Sequence, residues 1–445
     1  PEPVISCPES ITVQTSNNGT GDCTASASWT NPTESAGACA PITLTISIDN
    51  GTPQTVVQGE TFATTLSGGE HTVTYVVTDG NNNQDNCSFT VTVEDDERPS
   101  SIALPDVVLT TEEDAAGCPG VANTSLVVDQ VNPIATAADT WSYFVHGLEI
   151  DGFNDITDNY SDPSDIEIFV WEINEISTDA CESSFKVFFR YYDEAVNWRQ
   201  RGKEFTIVDD TRASSIALQD MTFTTDEGAT CPGSADTDLV VDQSNPIATA
   251  ADNWSFTVHG NTVQGFNNIT DNCSDPSEIE IFVWEINEIA TGDCESSFKV
   301  FFRYFDACGN FRQRGQTFTI QDNTKPDFNK GGFSEEFTLT TEDGADCPAN
   351  ATVDGLETGD VLTPGVAVSF TVAGVSFTTP TDMVSDNCVA QSDLLLTVDV
   401  VNEDVMNEGD DCSKLLRVRY KLEDGCGNQR FFMQEFSVTD NTKPD

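Results

Sequence analysis

The chain repeats itself over a period longer than any single supersecondary unit, and that repeat limits what it can fold into. Val127-Val128-Asp129-Gln130 followed by Asn132 to Asp139 returns as Val240-Val241-Asp242-Gln243 followed by Asn245 to Asp252, an offset of 113 residues. Cys118 to Cys231, Trp171 to Trp284, Cys181 to Cys294 and Asp209 to Asp322 keep that offset. A stretch of this length is a domain in its own right, so two copies imply two cores rather than one large one. A more diverged copy follows. Thr340-Thr341-Glu342-Asp343 with Cys347-Pro348 echoes Thr224-Thr225-Asp226-Glu227 with Cys231-Pro232. Asp386-Asn387-Cys388 echoes Asp271-Asn272-Cys273, and Asp424-Gly425-Cys426-Gly427-Asn428 echoes Asp306-Ala307-Cys308-Gly309-Asn310. Acidic joins at Glu94 to Pro99, Asp209 to Arg212, Asp322 to Asp327 and Asp440 to Asp445 divide the chain into 1–97, 98–210, 211–323 and 324–445. The last join has the form of an internal linker. The expectation is a segment of a longer array whose partners are further repeats of the same larger chain.

Inside each unit the hydrophobic period is two. Thr72 to Thr78 and Ser88 to Val93 alternate Thr with apolar residues, as strands with one wet face do. Ile166 to Ile173 and Ser184 to Tyr191 are richer in aromatics and are separated by a turn-prone stretch, which predicts a long hairpin. No helical stripe of useful length competes. The predicted fold class is all-β: tandem immunoglobulin-like antiparallel β-sandwich domains of about seven strands each, in an extended array.

Charge removes whole classes of partner. The chain has 19 Lys and Arg against 75 Asp and Glu, a net charge of −56, and residues 1–97 contain no Lys or Arg at all. Nucleic acid and anionic membrane surfaces need a cationic face, so neither is a partner. An acidic field of this kind attracts divalent cations held by carboxylate and carbonyl oxygen.

The 14 cysteines contain no C-x-x-C pair, and the three histidines, His71, His146 and His259, are isolated. Disulfides in an oxidising, extracellular setting therefore fit better than zinc or iron–sulfur ligation. Comparing copies suggests partners. Where the third unit has Cys273 and Cys308, the second has Tyr160 and Ala195, while Cys118 and Cys181 persist opposite Cys231 and Cys294. Partners lost together imply Cys231–Cys294 with Cys273–Cys308, and Cys118–Cys181 alone in the second unit. By analogy the fourth unit is expected to form Cys347–Cys412 and Cys388–Cys426. The first is expected to form Cys7–Cys87, leaving Cys23–Cys39.

The first unit carries Cys7-Pro8-Glu9-Ser10-Ile11-Thr12-Val13, then Trp29-Thr30-Asn31-Pro32, then Val73-Thr74-Tyr75-Val76-Val77-Thr78-Asp79-Gly80-Asn81. It resembles a hyalin repeat (HYR) domain over about its full length, and the other three units resemble it only through the acidic linker, the Asp-Asn-Cys loop and the Asp-x-Cys-Gly-Asn turn. Such domains are similar to those strung in tandem in very large secreted surface adhesins of Bacteroidota, exported by the type IX system, including gliding adhesins of the SprB type. The resemblance implies a stalk or adhesive filament at the cell surface and leaves its ligand, surface glycans or another cell-surface protein, open.

Two sets of residues are candidate calcium ligands. Asp158, Asn159, Asp162 and Asp165 recur as Asp271, Asn272, Asp275 and Glu278, and a second turn offers Asp193 and Asn197, Asp306 and Asn310, and Asp424 and Asn428. The linker carboxylates Asp95, Asp96, Asp209, Asp210, Asp322 and Asp440 form the other set. An ion bridging a linker and the adjoining loop would stiffen the array, as cadherin junctions resemble. Calcium takes six to eight hard oxygens in flexible geometry, which such loops supply. The same residue types also make plain Asx turns and solvated linkers. Trp141, Trp254, Trp171, Trp284 and Trp198 are either core or a sugar-stacking platform. Lys186 and Lys299 read as snorkelling side chains rather than isopeptide donors.

Catalysis leaves no trace. G-x-S-x-G, H-E-x-x-H and the P-loop are absent from the sequence, and near-copies would require duplicate active sites. The reading is a non-enzymatic extracellular structural and adhesive repeat segment, with calcium as a structural cofactor. A calcium-dependent polysaccharide-binding module is the alternative, and an accessory region of a secreted hydrolase is the third.

Overall fold

A computed structural model describes residues 2–18, 21–34, 39–329, 334–401 and 412–443. Pro444 and Asp445 of the last linker, and the side chain of Asn18 in the glycosylation sequon Asn18-Gly19-Thr20, lie outside that description. The chain divides into two compact units, 1–211 and 212–445. Each unit holds two sandwiches, because the buried apolar residues fall into four separate clusters: Ile5 to Val93, Leu109 to Ile207, Ala213 to Ile320 and Phe328 to Val438.

Alternation produces these cores directly. Along Glu182–Tyr192 every second side chain points inward, so Phe185, Val187, Phe189 and Tyr191 are buried while Lys186, Phe188 and Arg190 face outward. The expected hairpin is present: Glu167–Thr178 pairs antiparallel with Glu182–Tyr192. Trp198–Val208 extends the sheet on the other side. A second layer, the short hairpin Ser142–Val145 and Leu148–Asp151, closes the core with Tyr143 and Val145. The third sandwich repeats this plan. The first uses the pair Thr24–Thr30 and Thr61–Ser67 as its second layer.

One pairing departs from a purely antiparallel plan. In every sandwich the first strand of four or more residues lies parallel to the last: Ile11–Gln14 beside Gln84–Glu94, Val107–Thr110 beside Trp198–Val208, Met221–Thr224 beside Phe311–Gln321, and Glu336–Thr340 beside Gln429–Thr439. Two strands that start and finish the domain in the same direction place chain entry and exit at opposite poles, as end-to-end stringing requires.

The linkers are packed rather than solvated. Arg199 and Arg201 donate to the carbonyls of Pro99 and Ile102, and Arg312 and Arg314 do the same to Ala213 and Ile216. Pro99 and Ala213 are buried in consequence. Lys186 runs its stem across Gly202 and places its ammonium 3.5 Å from Glu204, the snorkelling geometry expected.

In the first sandwich the Trp-x-Asn-Pro and Val-x-Tyr segments meet in a buried polar chain. Trp29 Nε1 donates to Tyr75 Oη at 2.7 Å, and Tyr75 Oη donates to Asn31 Oδ1 at 2.6 Å. Tyr75→Phe strands both the indole N–H and the Asn31 oxygen, so it should cost about 1–3 kcal/mol, more than deletion of a typical exposed hydroxyl. Denaturant melts of the first sandwich test this, and an unchanged midpoint would contradict it.

Candidate metal centre at the joints

The parallel strand pair sets the position of a carboxylate. The residue after each first strand sits beside the residue after each last strand, and these are a threonine and an aspartate every time. Thr15 Oγ1 donates to Asp95 Oδ1 at 3.0 Å, Thr111 Oγ1 to Asp209 Oδ1 at 2.8 Å, Thr225 Oγ1 to Asp322 Oδ1 at 2.8 Å, and Thr341 Oγ1 to Asp440 Oδ1 at 2.7 Å. The next linker residue caps the following turn: Asp96, Asp210 and Asn323 accept from the backbone N–H of Ser16, Glu112 and Asp226 at 2.8–3.1 Å. Asp96 and Asp210 therefore lock the linker, whereas Asp95 and Asp322 keep one oxygen to spare.

In the unit 1–211 that spare oxygen has company. One carboxylate oxygen each of Asp95, Asp158 and Asp193 lies within 4.8 Å of the other two. Asp158 comes from the loop Asp158-Asn159 of the second sandwich and Asp193 from its Asp193-to-Asn197 turn. Each is held by its Oδ1: Asp158 accepts from the N–H of Tyr160 and Ser161, both at 2.9 Å, and Asp193 from the N–H of Asn197 at 2.7 Å. Asn197 Nδ2 reaches across to the Asp95 carbonyl at 3.2 Å, and Ser161 Oγ ties the loop to the turn through the Glu194 N–H at 3.0 Å. Val196 takes φ 71° to close that turn, where the copies place Gly309 and Gly427. The Oδ2 atoms of Asp95, Asp158 and Asp193 are all buried without a hydrogen-bond partner.

Three convergent carboxylates with three orphaned oxygens are electrostatically unstable alone. At about 5 Å and an effective dielectric near 20 each pair repels by on the order of 3 kcal/mol. The molecule must bind protons or a cation. Burial pushes the Asp193 carboxyl up to about 6, with the charges of Asp158 and Asp95 adding to the rise, and burial raises Asp95 as well. The donor set is hard oxygen, and the three histidines are elsewhere, so the site suits calcium rather than zinc.

The unit 212–445 builds a related site from Asp322, Asp386 and Asp424. Asp322 has a carboxylate oxygen within 4.8 Å of one from each of the others. Asp322 and Asp386 keep buried, partnerless Oδ2 atoms, while Asp424 Oδ2 accepts from Asn428 Nδ2 at 2.8 Å. Burial raises the Asp322 carboxyl, and Asp386 and Asp424 add to it. Asp271 and Asp306 repeat the local scheme, each with Oδ1 on two backbone N–H groups and a buried, unpartnered Oδ2.

Other expected ligands sit outside these clusters. Asp162, Asp165, Asp275 and Glu278 are exposed around the following short turns, and Asn272 is exposed. Asn159 donates to Glu97. Four residues absent from the expected ligand set, Thr15, Thr111, Thr225 and Thr341, position the linker carboxylates. Their signal was the Thr that follows each first strand.

Disulfides corroborate the joint and correct the expected pairing. Cys7–Cys87 forms as expected. Cys231 pairs with Cys388 and Cys294 with Cys426, so the third sandwich is bound covalently to the fourth at two points. The expected Cys231–Cys294 and Cys388–Cys426 bridges are thereby ruled out. Cys118, Cys181, Cys273 and Cys308 are also disulfide-bonded. Cys23 and Cys39 are free thiols rather than a pair, and Cys347 is free, so Cys347–Cys412 is not formed. The joint explains why Tyr160 replaces a cysteine: its ring packs on Gly68, whose N–H donates to the Cys23 carbonyl at 2.9 Å. Ring contact takes the place of a bridge there.

The tryptophans divide. Trp141 and Trp254 pack against their cores and donate to the Phe153 and Phe266 carbonyls at 3.0 Å. Trp171 and Trp284 are on the outer face, each with a ring covered by Arg190 at 3.4 Å or Arg303 at 3.5 Å. Arg190 also lies 4.1 Å from the Trp198 ring. Those ring faces are occupied by guanidinium groups rather than open for sugar.

The HYR domain model matches residues 1–93. No curated protein matches the chain by sequence. Among solved structures, the protocadherin gamma B4 extracellular domain aligns over 99% of this chain and 67% of its own, at 11% identity and a TM-score of 0.30. The human desmocollin-1 ectodomain aligns over 99% and 82% at 9% identity and 0.20, and Drosophila N-cadherin EC1-4 over 98% of each at 10% and 0.19. Likeness at this level carries nothing from those proteins to this chain.

Two outcomes follow from the joint. Peptide mapping without reduction should recover Cys231 linked to Cys388 and Cys294 linked to Cys426, and recovery of Cys231–Cys294 would contradict the structure. With a raised folded pKa, Asp193 holds in the native state a proton that the unfolded chain releases between about pH 4 and 6. In EDTA the parent protein should therefore lose stability relative to Asp193→Asn as pH rises through that window. Parallel thermal melts read the difference, and a constant one refutes the assignment.

Proposed function

We propose that the chain is a non-enzymatic extracellular repeat segment of a large surface filament or adhesin, built from modules 1–97, 98–210, 211–323 and 324–445, whose joints are stiffened by calcium. The observation that carries the reading is the convergence of Asp95, Asp158 and Asp193, which belong to a linker and two loops of the following sandwich, with all three Oδ2 atoms buried and unpartnered. A cation placed there bonds the linker to the loops, so bending that joint would break coordination. The three carboxylates supply three of calcium's six to eight oxygens, with backbone carbonyls and water available for the rest.

Disulfides support the extracellular setting, since such bridges persist in oxidising compartments. Among the described residues no helix is long and apolar enough to cross a membrane. Repeated modules supply reach and repeated binding surfaces, which suits attachment or gliding at a cell surface. Partners in this reading are further repeats of the same chain and a surface glycan or protein.

Calcium at about 100 times its dissociation constant should stabilise the unit 1–211 by ~2.7 kcal/mol, a rise of roughly 5–10 °C in melting temperature for a body of this size. Asp193→Asn in the full chain should abolish that increment for this unit while leaving the increment of the unit 212–445 in place. Differential scanning calorimetry with calcium and with EDTA separates the two. Melting that EDTA leaves unchanged, or an Asp193→Asn variant that responds like the parent, would refute the calcium joint.

A further inference from the structure

The fourth sandwich presents the same end face that the third uses to hold it. Cys231 and Cys347 each follow by six residues the threonine that clamps the linker, Thr225 or Thr341. Each is preceded by a left-handed glycine, Gly228 at φ 105° and Gly344 at φ 91°. The residue just before each cysteine donates its N–H to the turn of the second-layer hairpin, Thr230 to the His259 carbonyl at 2.9 Å and Asp346 to the Ala373 carbonyl at 2.8 Å. The linkers agree atom for atom. Asp322 N donates to the Cys294 carbonyl and Asp440 N to the Cys412 carbonyl, both at 2.9 Å. Asp226 N donates to Asn323 Oδ1 at 3.1 Å and Glu342 N to Asn441 Oδ1 at 3.0 Å. Cys412 stands where Cys294 stands.

The two faces differ in what covers them. At the third sandwich, Cys231 is bonded to Cys388 of the Asp386-Asn387-Cys388 loop, and Asp322 is buried against Asp386 and Asp424. At the fourth, Cys347 is a free, exposed thiol and Asp440 is exposed. We propose that this end of the fourth sandwich is a docking face for one more sandwich of the same repeat, which bonds Cys347 through the cysteine of its Asp-Asn-Cys loop and shares a cation with Asp440. The fit is continuity with an interface the molecule already makes, and the proposal rests on the array reading above.

The covalent step needs an oxidant of the disulfide class. By thiol–disulfide exchange, Cys347 and the incoming cysteine lose two protons and two electrons, an Sγ–Sγ bond forms between them, and the donor disulfide is reduced to two thiols.

The test is the full chain extended after Asp445 by a second copy of residues 328–445 whose own Cys347 is replaced by serine, which regenerates the linker found between the third and fourth sandwiches. Refolded with oxidised glutathione, it should yield an unreduced peptide joining Cys347 to the copy's Cys388, and Cys347 should lose the maleimide labelling expected of the unextended chain. Cys347→Ser in the extended chain should remove that peptide and leave Cys231–Cys388 in place, which shows that the protein still folds. Cys347 that remains labelled while Cys231–Cys388 forms overturns the proposal. Calcium-dependent melting retained in that same sample would leave the array reading standing.

Discussion

Everything distinctive about this chain follows from two strands lying parallel. Because each sandwich begins and ends in the same direction, the residue leaving the first strand falls beside the residue leaving the last, and the pair is threonine and aspartate in all four cases. The hydroxyl takes one carboxylate oxygen, and at Asp95 and Asp322 the other is left without a partner. Within each unit, the linker between the two sandwiches, which would otherwise be a flexible acidic tether, becomes a fixed wall carrying a carboxylate at the mouth of the second sandwich.

What meets that wall sets the mechanical character of a joint. In the unit 1–211 it is a Tyr160 ring on Gly68 together with Asp158 and Asp193. In the unit 212–445 it is two disulfides together with Asp386 and Asp424. Two covalent ties at separate points resist both bending and twisting, whereas a ring contact supplies no covalent tie. The chain thus combines a joint held by a ring contact and convergent carboxylates with one closed by two disulfides, and both are built on the same carboxylate scaffold.

Much of this was legible in the residues. Alternation of Thr with Val and Phe gives the strands, and repeated Asp-Asn and Asp-x-x-x-Asn segments mark the loops whose oxygens stay unpaired. The linker aspartates and Asp158, Asp193 and Asp424 were visible as candidate ligands, whereas Asp386 of the fourth unit's Asp-Asn-Cys loop was not among them. Their convergence was not visible as a set of named atoms, since it depends on the parallel pairing and on Thr15, Thr111, Thr225 and Thr341, residue types common on any strand. The cysteines show a sharper limit. Joint loss of Cys273 and Cys308 from the second unit is what mutual partners would show, and also what two cysteines sharing one neighbouring sandwich would show. Cys388 and Cys426, the equivalents in the fourth unit, follow the second pattern. Copy comparison reports that positions change together and is silent on whether the bond lies within a domain or across a joint.

Anomalous scattering from a crystal of the intact chain grown in calcium addresses the joint most directly. An ion there predicts a difference peak about 2.3–2.6 Å from the Oδ2 atoms of Asp95, Asp158 and Asp193. A featureless map between those three carboxylates at saturating calcium, with the side chains in the same positions, would contradict it.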